Sequence, residues 1–141
     1  MGFLRSMGTV GSASEKPVNI ALWIVQGLLA VIFAGSGIVK ATRDRKRLLD
    51  DGIAWVADFS AGAVKVIGVL EILAALGLIL PAATGIAPVL TPLAAVGIGL
   101  LMAGAGVVHF RRGEFAFIGV VAVLFVAAAF VAWGRFGPYA S

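Results

Sequence analysis

The sequence predicts an all-α membrane protein, an up-down bundle of four transmembrane helices. Of its 141 residues, 61% are apolar and only 13% are charged, whereas soluble domains carry roughly 25% charged residues. The apolar residues form four blocks, each close to the ~20 residues that a helix needs to cross a bilayer. So short a chain cannot close a barrel, which leaves helices as the spanning elements. Short links between the later blocks favour antiparallel neighbours.

The four blocks predict one transmembrane domain, residues 19–137, with spans at residues 19–39, 63–80, 86–108 and 115–133. The second and third spans are joined by Pro81-Ala82-Ala83-Thr84-Gly85, a turn with helix-stopping residues at both ends. Residues 1–18 are polar and rich in glycine and serine, and they lack the pattern of a cleaved signal peptide. They predict a flexible N-terminal tail.

The link between the first two spans, residues 40–62, is longer and basic. Asp51 and Asp58 fall on one side of it, and apolar residues recur at helical spacing on the other: Leu48, Leu49, Ile53, Trp55, Val56 and Phe59. This pattern predicts an amphipathic interfacial segment along the membrane surface, with a bent extension of the second span as the alternative. Its cationic cluster is predicted to contact lipid headgroups or an acidic partner: Arg43, Arg45, Lys46 and Arg47.

Lysine and arginine are distributed unevenly between the two ends of the predicted bundle. Eight lie in residues 40–65 and 111–112, and three (Arg5, Lys16 and Arg135) lie at the other end. The positive-inside rule then places loops 40–62 and 109–114 in the cytoplasm and both termini outside. The net charge of +4 is thus an orientation signal, and no nucleic-acid partner is predicted.

Glu71 is the residue that most strongly predicts a functional site. It lies in the apolar run 66–80, where inserting a charged side chain costs about 2.5–3.5 kcal/mol. Counting the helical rise places Lys40 and His109 in the same half of the membrane, with Gln26 approaching from the other side. Either Lys40 balances the charge of Glu71 and His109 exchanges protons, or Lys40 extends to the headgroups and His109 caps its helix.

The residue inventory narrows the possible chemistry. The chain has no cysteine and a single histidine, which excludes thiolate catalysis and disulfide exchange within it. No group of histidine and acidic residues has ligand spacing, so no metal site is predicted. A redox cofactor would be a diffusible organic molecule or would belong to a partner.

Three sequence motifs resemble the DoxX and DoxX-like membrane proteins over residues 19–137. The first span ends in Gly35-Ser36-Gly37-Ile38-Val39-Lys40, the second contains Gly68-Val69-Leu70-Glu71, and the third ends in Ala105-Gly106-Val107-Val108-His109. The resemblance implies a small four-helix protein of the bacterial inner membrane, from a group in which some members associate with redox-stress assemblies. The name derives from a subunit of a quinone-linked complex. Lys40, Glu71 and His109 carry over, whereas the long basic first loop departs from the pattern.

We therefore expect an accessory subunit of a membrane redox system, rather than a stand-alone enzyme. It would bind a quinone or another lipid-soluble molecule at Glu71, Lys40 and His109. No covalently bound cofactor is expected, and the expected partners are lipids and either further copies of the chain or other subunits. Proton-coupled transport through Glu71 is one alternative. A purely structural Lys40–Glu71 pair within a larger complex is the other.

Overall fold

The computed structural model describes the backbone of residues 2–140 and the side chains of residues 16–140. The described residues form a short 3₁₀ helix (Ala54–Asp58) and five α-helices: α1 (Gly2–Thr42), α2 (Arg45–Asp50), α3 (Ala61–Thr84), α4 (Leu90–Arg111) and α5 (Phe115–Phe136). Within the described part of the chain, four helices are long and apolar enough to cross a membrane, namely α3, α4, α5 and the part of α1 from Lys16 to Thr42. The predicted four-span bundle is confirmed. The predicted tail, residues 1–18, falls mostly outside the residues with described side chains and stays a prediction.

The four long helices pack in a ring, α1 against α3, α3 against α4, α4 against α5, and α5 back against α1. Apolar side chains fill the space between them: Leu29, Phe33, Ala75, Leu78, Ala95, Ile98, Met102, Ala128 and Val131. The outside of the ring is apolar as well, and Val31 and Leu100 are 74% and 69% exposed. Such a surface is solvated by lipid rather than by water, so the chain is a multi-pass membrane protein.

Helix α3 does not end at Pro81, where the sequence predicted a turn, but continues to Thr84. A proline inside a helix leaves the carbonyl four residues earlier without its usual N–H donor. Here that carbonyl belongs to Gly77, and it accepts a hydrogen bond of 2.9 Å from Thr91 Oγ1 of α4. The helix ends instead at Gly85, whose φ of +73° is the left-handed conformation that favours glycine. The third span therefore begins later than predicted, at the start of α4.

The basic link between α1 and α3 folds as α2 and the 3₁₀ helix, separated by a turn at Gly52, where φ is +88°. Its apolar side packs on the bundle rather than on lipid, because Leu48 and Val56 are fully buried in a cluster with Val64 of α3. The link thus forms a cap over one end of the helices. We call this end, with residues 40–65 and 109–114, the basic end. The other end, with residues 81–89, 16–19 and 134–140, is the turn end.

Candidate functional site

Helices α1 and α3 come into backbone contact where Gly37 faces Gly68. A Cβ atom on Gly37 would lie 2.5 Å from the carbonyl oxygen of Gly68, and a Cβ on Gly68 would lie 2.8 Å from the carbonyl oxygen of Gly37. Glycine lets the two backbones approach this closely. Each glycine lies three residues before a charged residue, Lys40 on α1 and Glu71 on α3. The contact therefore sets the distance between these two side chains.

Lys40 and Glu71 form an ion pair inside the bundle. Lys40 Nζ donates a hydrogen bond of 2.6 Å to Glu71 Oε1 and one of 2.9 Å to Ser36 Oγ, one turn earlier on α1. Side chains of a helix lean towards its N-terminus, so the lysine runs back into the membrane and does not extend to the headgroups. Nζ also lies 5.1 Å from the centre of the Trp55 ring, within the range of a cation–π contact.

The second carboxylate oxygen of Glu71 is left without a partner. Glu71 is only 3% exposed, and Oε2 is buried with no hydrogen bond to any described residue. Burying a polar atom unpaired is unfavourable by about 1–3 kcal/mol, and more for a charged group. Oε2 is therefore an acceptor that a ligand hydroxyl would stabilise.

The ion pair lies on the wall of a cavity of about 400 Å³. All four long helices contribute to the wall, and Trp55 and Phe59 of the cap cover it at the basic end. Most of the lining is aliphatic or aromatic, and the polar side chains are those of Ser36, Lys40, Glu71 and His109. A largely apolar cavity of roughly 300–1,000 Å³ with a few convergent polar groups is typical of a small-molecule site.

His109 lies on the wall of this cavity, near the end of α4. Its ring stacks on that of Phe117 in α5 with the centroids 5.0 Å apart, and its Nδ1 lies 3.2 Å from Glu114 Oε1. A carboxylate partner favours the forms of the ring that carry a proton on Nδ1. The structure therefore brings His109 to the same cavity as Glu71 and Lys40.

A chain of polar contacts, which the sequence analysis missed, connects His109 with the surface of the basic end. Arg112 Nε donates to Glu114 Oε1 at 3.1 Å, and Arg112 Nη1 donates to Asp58 Oδ2 at 2.8 Å. The hydrogen bond to Asp58, together with the charges of Asp58 and Glu114, raises the pKa of Arg112 above its ordinary value. The contact ties the cap to the α4–α5 turn, far apart in sequence, so residue spacing carried no signal for it.

The cationic cluster of the cap divides into two groups. Arg43 pairs with Asp51 at 2.8 Å, and Arg45 donates to the backbone carbonyls of Phe59 and Ala57 at 2.9 Å each, so both help to shape the cap. Lys46 and Arg47 are exposed, and within the described part of the chain their side chains make no hydrogen bond or ion pair. Contact of these two with headgroups or an acidic partner stays a prediction.

Gln26 does not join the cavity. It is fully buried, and its Nε2 donates to the backbone carbonyl of Leu78 at 2.6 Å. Leu78 follows Glu71 by two helical turns, roughly 10 Å further along α3. Gln26 was predicted to approach Glu71, but it lies nearer the turn end than Glu71 does. The side chain belongs to a different polar group, because its Oε1 accepts a hydrogen bond of 2.7 Å from Arg135 Nε.

We call this second group the Arg135 cluster: Arg135, Gln26, Asn19 and Tyr139. Arg135 is only 4% exposed, and its Nη1 donates to Asn19 Oδ1 and to the Tyr139 carbonyl at 2.9 Å each. The guanidinium also lies 5.2 Å from the centre of the Trp23 ring. None of these partners is negatively charged. The sequence analysis counted Arg135 as a charge of the C-terminal segment because the fourth span was predicted to end at residue 133, whereas α5 continues to Phe136.

Comparison with known proteins identifies a family. Residues 24–131 match the family model described as the DoxX-like family. The matched region contains the ion pair, His109 and the cavity, and it ends before Arg135. No match was found among curated proteins or among solved structures.

Proposed function

The chain belongs to the DoxX-like family, and we propose that it binds a quinone or a similar lipid-soluble molecule as an accessory subunit of a membrane redox system. The observation that supports this role best is the unpartnered Oε2 of Glu71, a residue that lines a largely apolar cavity. Family membership names no ligand, so the ligand chemistry follows from the cavity.

The polar groups of the cavity suit a ring that carries two hydroxyl groups. An ionised carboxylate only accepts hydrogen bonds, so Glu71 Oε2 fits a hydroxyl of the reduced quinol better than a carbonyl of the oxidised quinone. Lys40 holds the other oxygen of Glu71 at 2.6 Å and thereby keeps the carboxylate oriented. His109 supplies the second polar position of the cavity.

We further propose that the basic end lies in the cytoplasm of a bacterial inner membrane and that both termini lie outside. Eight of the eleven lysine and arginine residues lie at the basic end, and this asymmetry sets orientation in multi-pass proteins. The exposed Lys46 and Arg47 would then meet the anionic cytoplasmic leaflet. Cysteine labelling of residue 46 in whole cells with an impermeant reagent tests this orientation. Labelling from outside would contradict it.

Binding is tested by calorimetric titration of the purified protein with a reduced benzoquinol. Glu71→Gln removes a charged acceptor worth about 1.5–3 kcal/mol, so we expect the affinity to fall at least about tenfold. Asp51→Asn is the matched control, since Asp51 is a carboxylate at the same end that lies outside the cavity. Unchanged affinity in Glu71→Gln contradicts the proposed site.

Proton-coupled transport is the second candidate, and the chain of groups from His109 through Glu114 and Arg112 to Asp58 favours it. These groups connect the cavity with the surface, as a proton path requires. A substrate-dependent proton flux in liposomes that Glu71→Ala abolishes would establish transport. Quinol binding without such a flux would exclude it.

A further inference from the structure

An apolar groove lies between α3 and α4 and shares two residues with the cavity. It has a volume of about 350 Å³ and is lined by six residues: Leu70, Ala74, Ala94, Gly97, Leu100 and Leu101. We call it the tail groove. Leu100 and Leu101 also line the cavity, so the groove and the cavity adjoin at these two side chains. Leu70 is 46% exposed and Leu100 is 69% exposed, and on a membrane span this means that the groove faces lipid.

The groove exists because α3 and α4 face each other there with small side chains. The two helices are in tight contact at Gly77, where a Cβ atom would lie 2.8 Å from the Cβ of Ala94. Nearer the basic end, a Cβ on Gly97 would meet nothing within 4 Å. Helix α4 rises roughly 10 Å between Ala94 and Leu101. The groove therefore extends about that far, from the tight contact to the cavity.

We propose that the ligand is a lipid with a hydrogen-bonding ring head and an apolar tail, with the head at Glu71 and the tail in the tail groove. This inference rests on the proposed function, because it assigns the tail of the same ligand. The side chains of the groove are all apolar, whereas the cavity is lined by Glu71, whose Oε2 is buried and has no partner. The polar groups of the cavity and the apolar surface of the tail groove thus follow one another along α3 and α4. The tail extends from the head at Glu71 towards the turn end.

The groove selects a tail by its shape. Lipid chains are as apolar as the groove, so the hydrophobic effect gives a tail no preference for the groove over the surrounding lipid. A tail is therefore held in the groove by close van der Waals packing. A bulky side chain in the groove would therefore block the tail and leave the head site intact. Gly97 suits this test, because a side chain there meets no protein atom at its first carbon and because glycine is a poor helix former.

The test compares two reduced quinols with the same ring, one without a tail and one with a ten-carbon tail. Their affinities are measured by calorimetry on the full chain in lipid nanodiscs, for the wild type, Gly97→Phe and Gly35→Phe. Gly35 is the matched control, since its Cβ would also meet nothing within 4 Å and it lines neither the cavity nor the groove. We expect Gly97→Phe to weaken the tailed ligand about tenfold, by 1.4 kcal/mol, and to leave the tail-less ligand unchanged. Gly35→Phe should change neither.

Equal affinity of the tailed ligand for Gly97→Phe and the wild type overturns this inference and leaves head binding standing. Val120 of α5 marks a competing exit, because it lines the cavity and is 57% exposed. If Val120→Trp weakens only the tailed ligand and Gly97→Phe does not, the tail leaves there and the inference is wrong. If neither ligand binds the wild type, the proposed function itself fails.

Discussion

Two buried polar groups lie at different levels of the same bundle, and they differ in what surrounds them. The Lys40–Glu71 pair joins opposite charges beside a cavity of about 400 Å³. Arg135 of the Arg135 cluster is held by neutral acceptors, and its residues line neither the cavity nor the tail groove. Each group has one buried atom without a partner, Glu71 Oε2 in one and Arg135 Nη2 in the other. A cavity beside the charged group, rather than burial of the charge itself, distinguishes a ligand site from a group that only joins helices.

The two groups also join different pairs of helices. Lys40 and Glu71 connect α1 with α3, where the helices are already in contact through Gly37 and Gly68. Arg135 connects α5 with α1 and so closes the ring at the turn end. We therefore expect changes in the first group to alter both stability and ligand binding, and changes in the second to alter stability alone.

The largest expected effect on stability comes from Lys40→Met, which leaves Glu71 buried without its counter-charge. Removing one partner of a buried ion pair is destabilising by about 3–5 kcal/mol. Thermal unfolding in detergent, followed by circular dichroism, measures the loss. The double variant Lys40→Met/Glu71→Met should recover most of it and still fail to bind quinol. Recovery of both stability and binding in the double variant would show that the pair only fixes helix register.

Substitution at the glycine contact between α1 and α3 is expected to lower stability nearly as much as Lys40→Met does. Gly68→Ala places a methyl group 2.8 Å from the backbone nitrogen of Ala41, and overpacking of this kind is destabilising by about 1–3 kcal/mol. Because the contact positions Lys40 against Glu71, quinol affinity should fall too. Gly27→Ala is the control, since its methyl group would meet nothing within 4 Å, and it should be neutral or stabilising. Equal unfolding temperatures for the two variants would contradict the claim that the contact between α1 and α3 stabilises the bundle.

Arg135→Met tests the same comparison at the Arg135 cluster. It leaves the buried Gln26 Oε1 and the half-buried Asn19 Oδ1 without their donor, and a buried acceptor left unpaired is unfavourable by about 1–3 kcal/mol. The unfolding temperature should fall, whereas quinol affinity should stay within about twofold of the wild type, which is less than 0.5 kcal/mol. A loss of affinity as large as that of Glu71→Gln would mean that the two groups act as one site.

The smallest effect is expected for the exposed ion pair of the cap. Arg43 and Asp51 lie 2.8 Å apart, but their side chains are 36% and 39% exposed. Exposed pairs contribute about 0.2–1 kcal/mol, so Arg43→Ser should lower the free energy of unfolding by no more than that. Chemical denaturation at low and high salt measures it. An effect as large as that of Lys40→Met would contradict the distinction between buried and exposed pairs.

Hydropathy was enough to predict the four spans, because lipid exposure requires a long apolar block in each helix. The convergence of Lys40, Glu71 and His109 was also predictable from the sequence, since the helical rise fixes depth once the spans are placed. The continuation of α3 past Pro81 was not predictable, because it depends on Thr91 of the next helix. Contacts between helices that are distant in sequence are invisible to spacing arguments.

The same reason explains the misplaced Gln26 and the overlooked Arg135. Depth counting brought Gln26 near Glu71, but its partners come from α3 and α5 at the turn end. The cap was predicted to be amphipathic from its periodicity. Burial of Leu48 and Val56 on the bundle depends on the turn at Gly52, which redirects the chain.

The central claim, that a ring binds beside Glu71, is tested most directly through Trp55. Trp55 lines the cavity, and its ring centre lies 5.1 Å from Lys40 Nζ, so a quinol ring bound there changes its fluorescence. The measurement uses a variant in which Trp23 and Trp133 are replaced by phenylalanine. We predict a saturable change at low quinol concentration, with a midpoint that Glu71→Gln shifts at least about tenfold higher. A change that does not saturate, or that Glu71→Gln leaves unchanged, would contradict the claim.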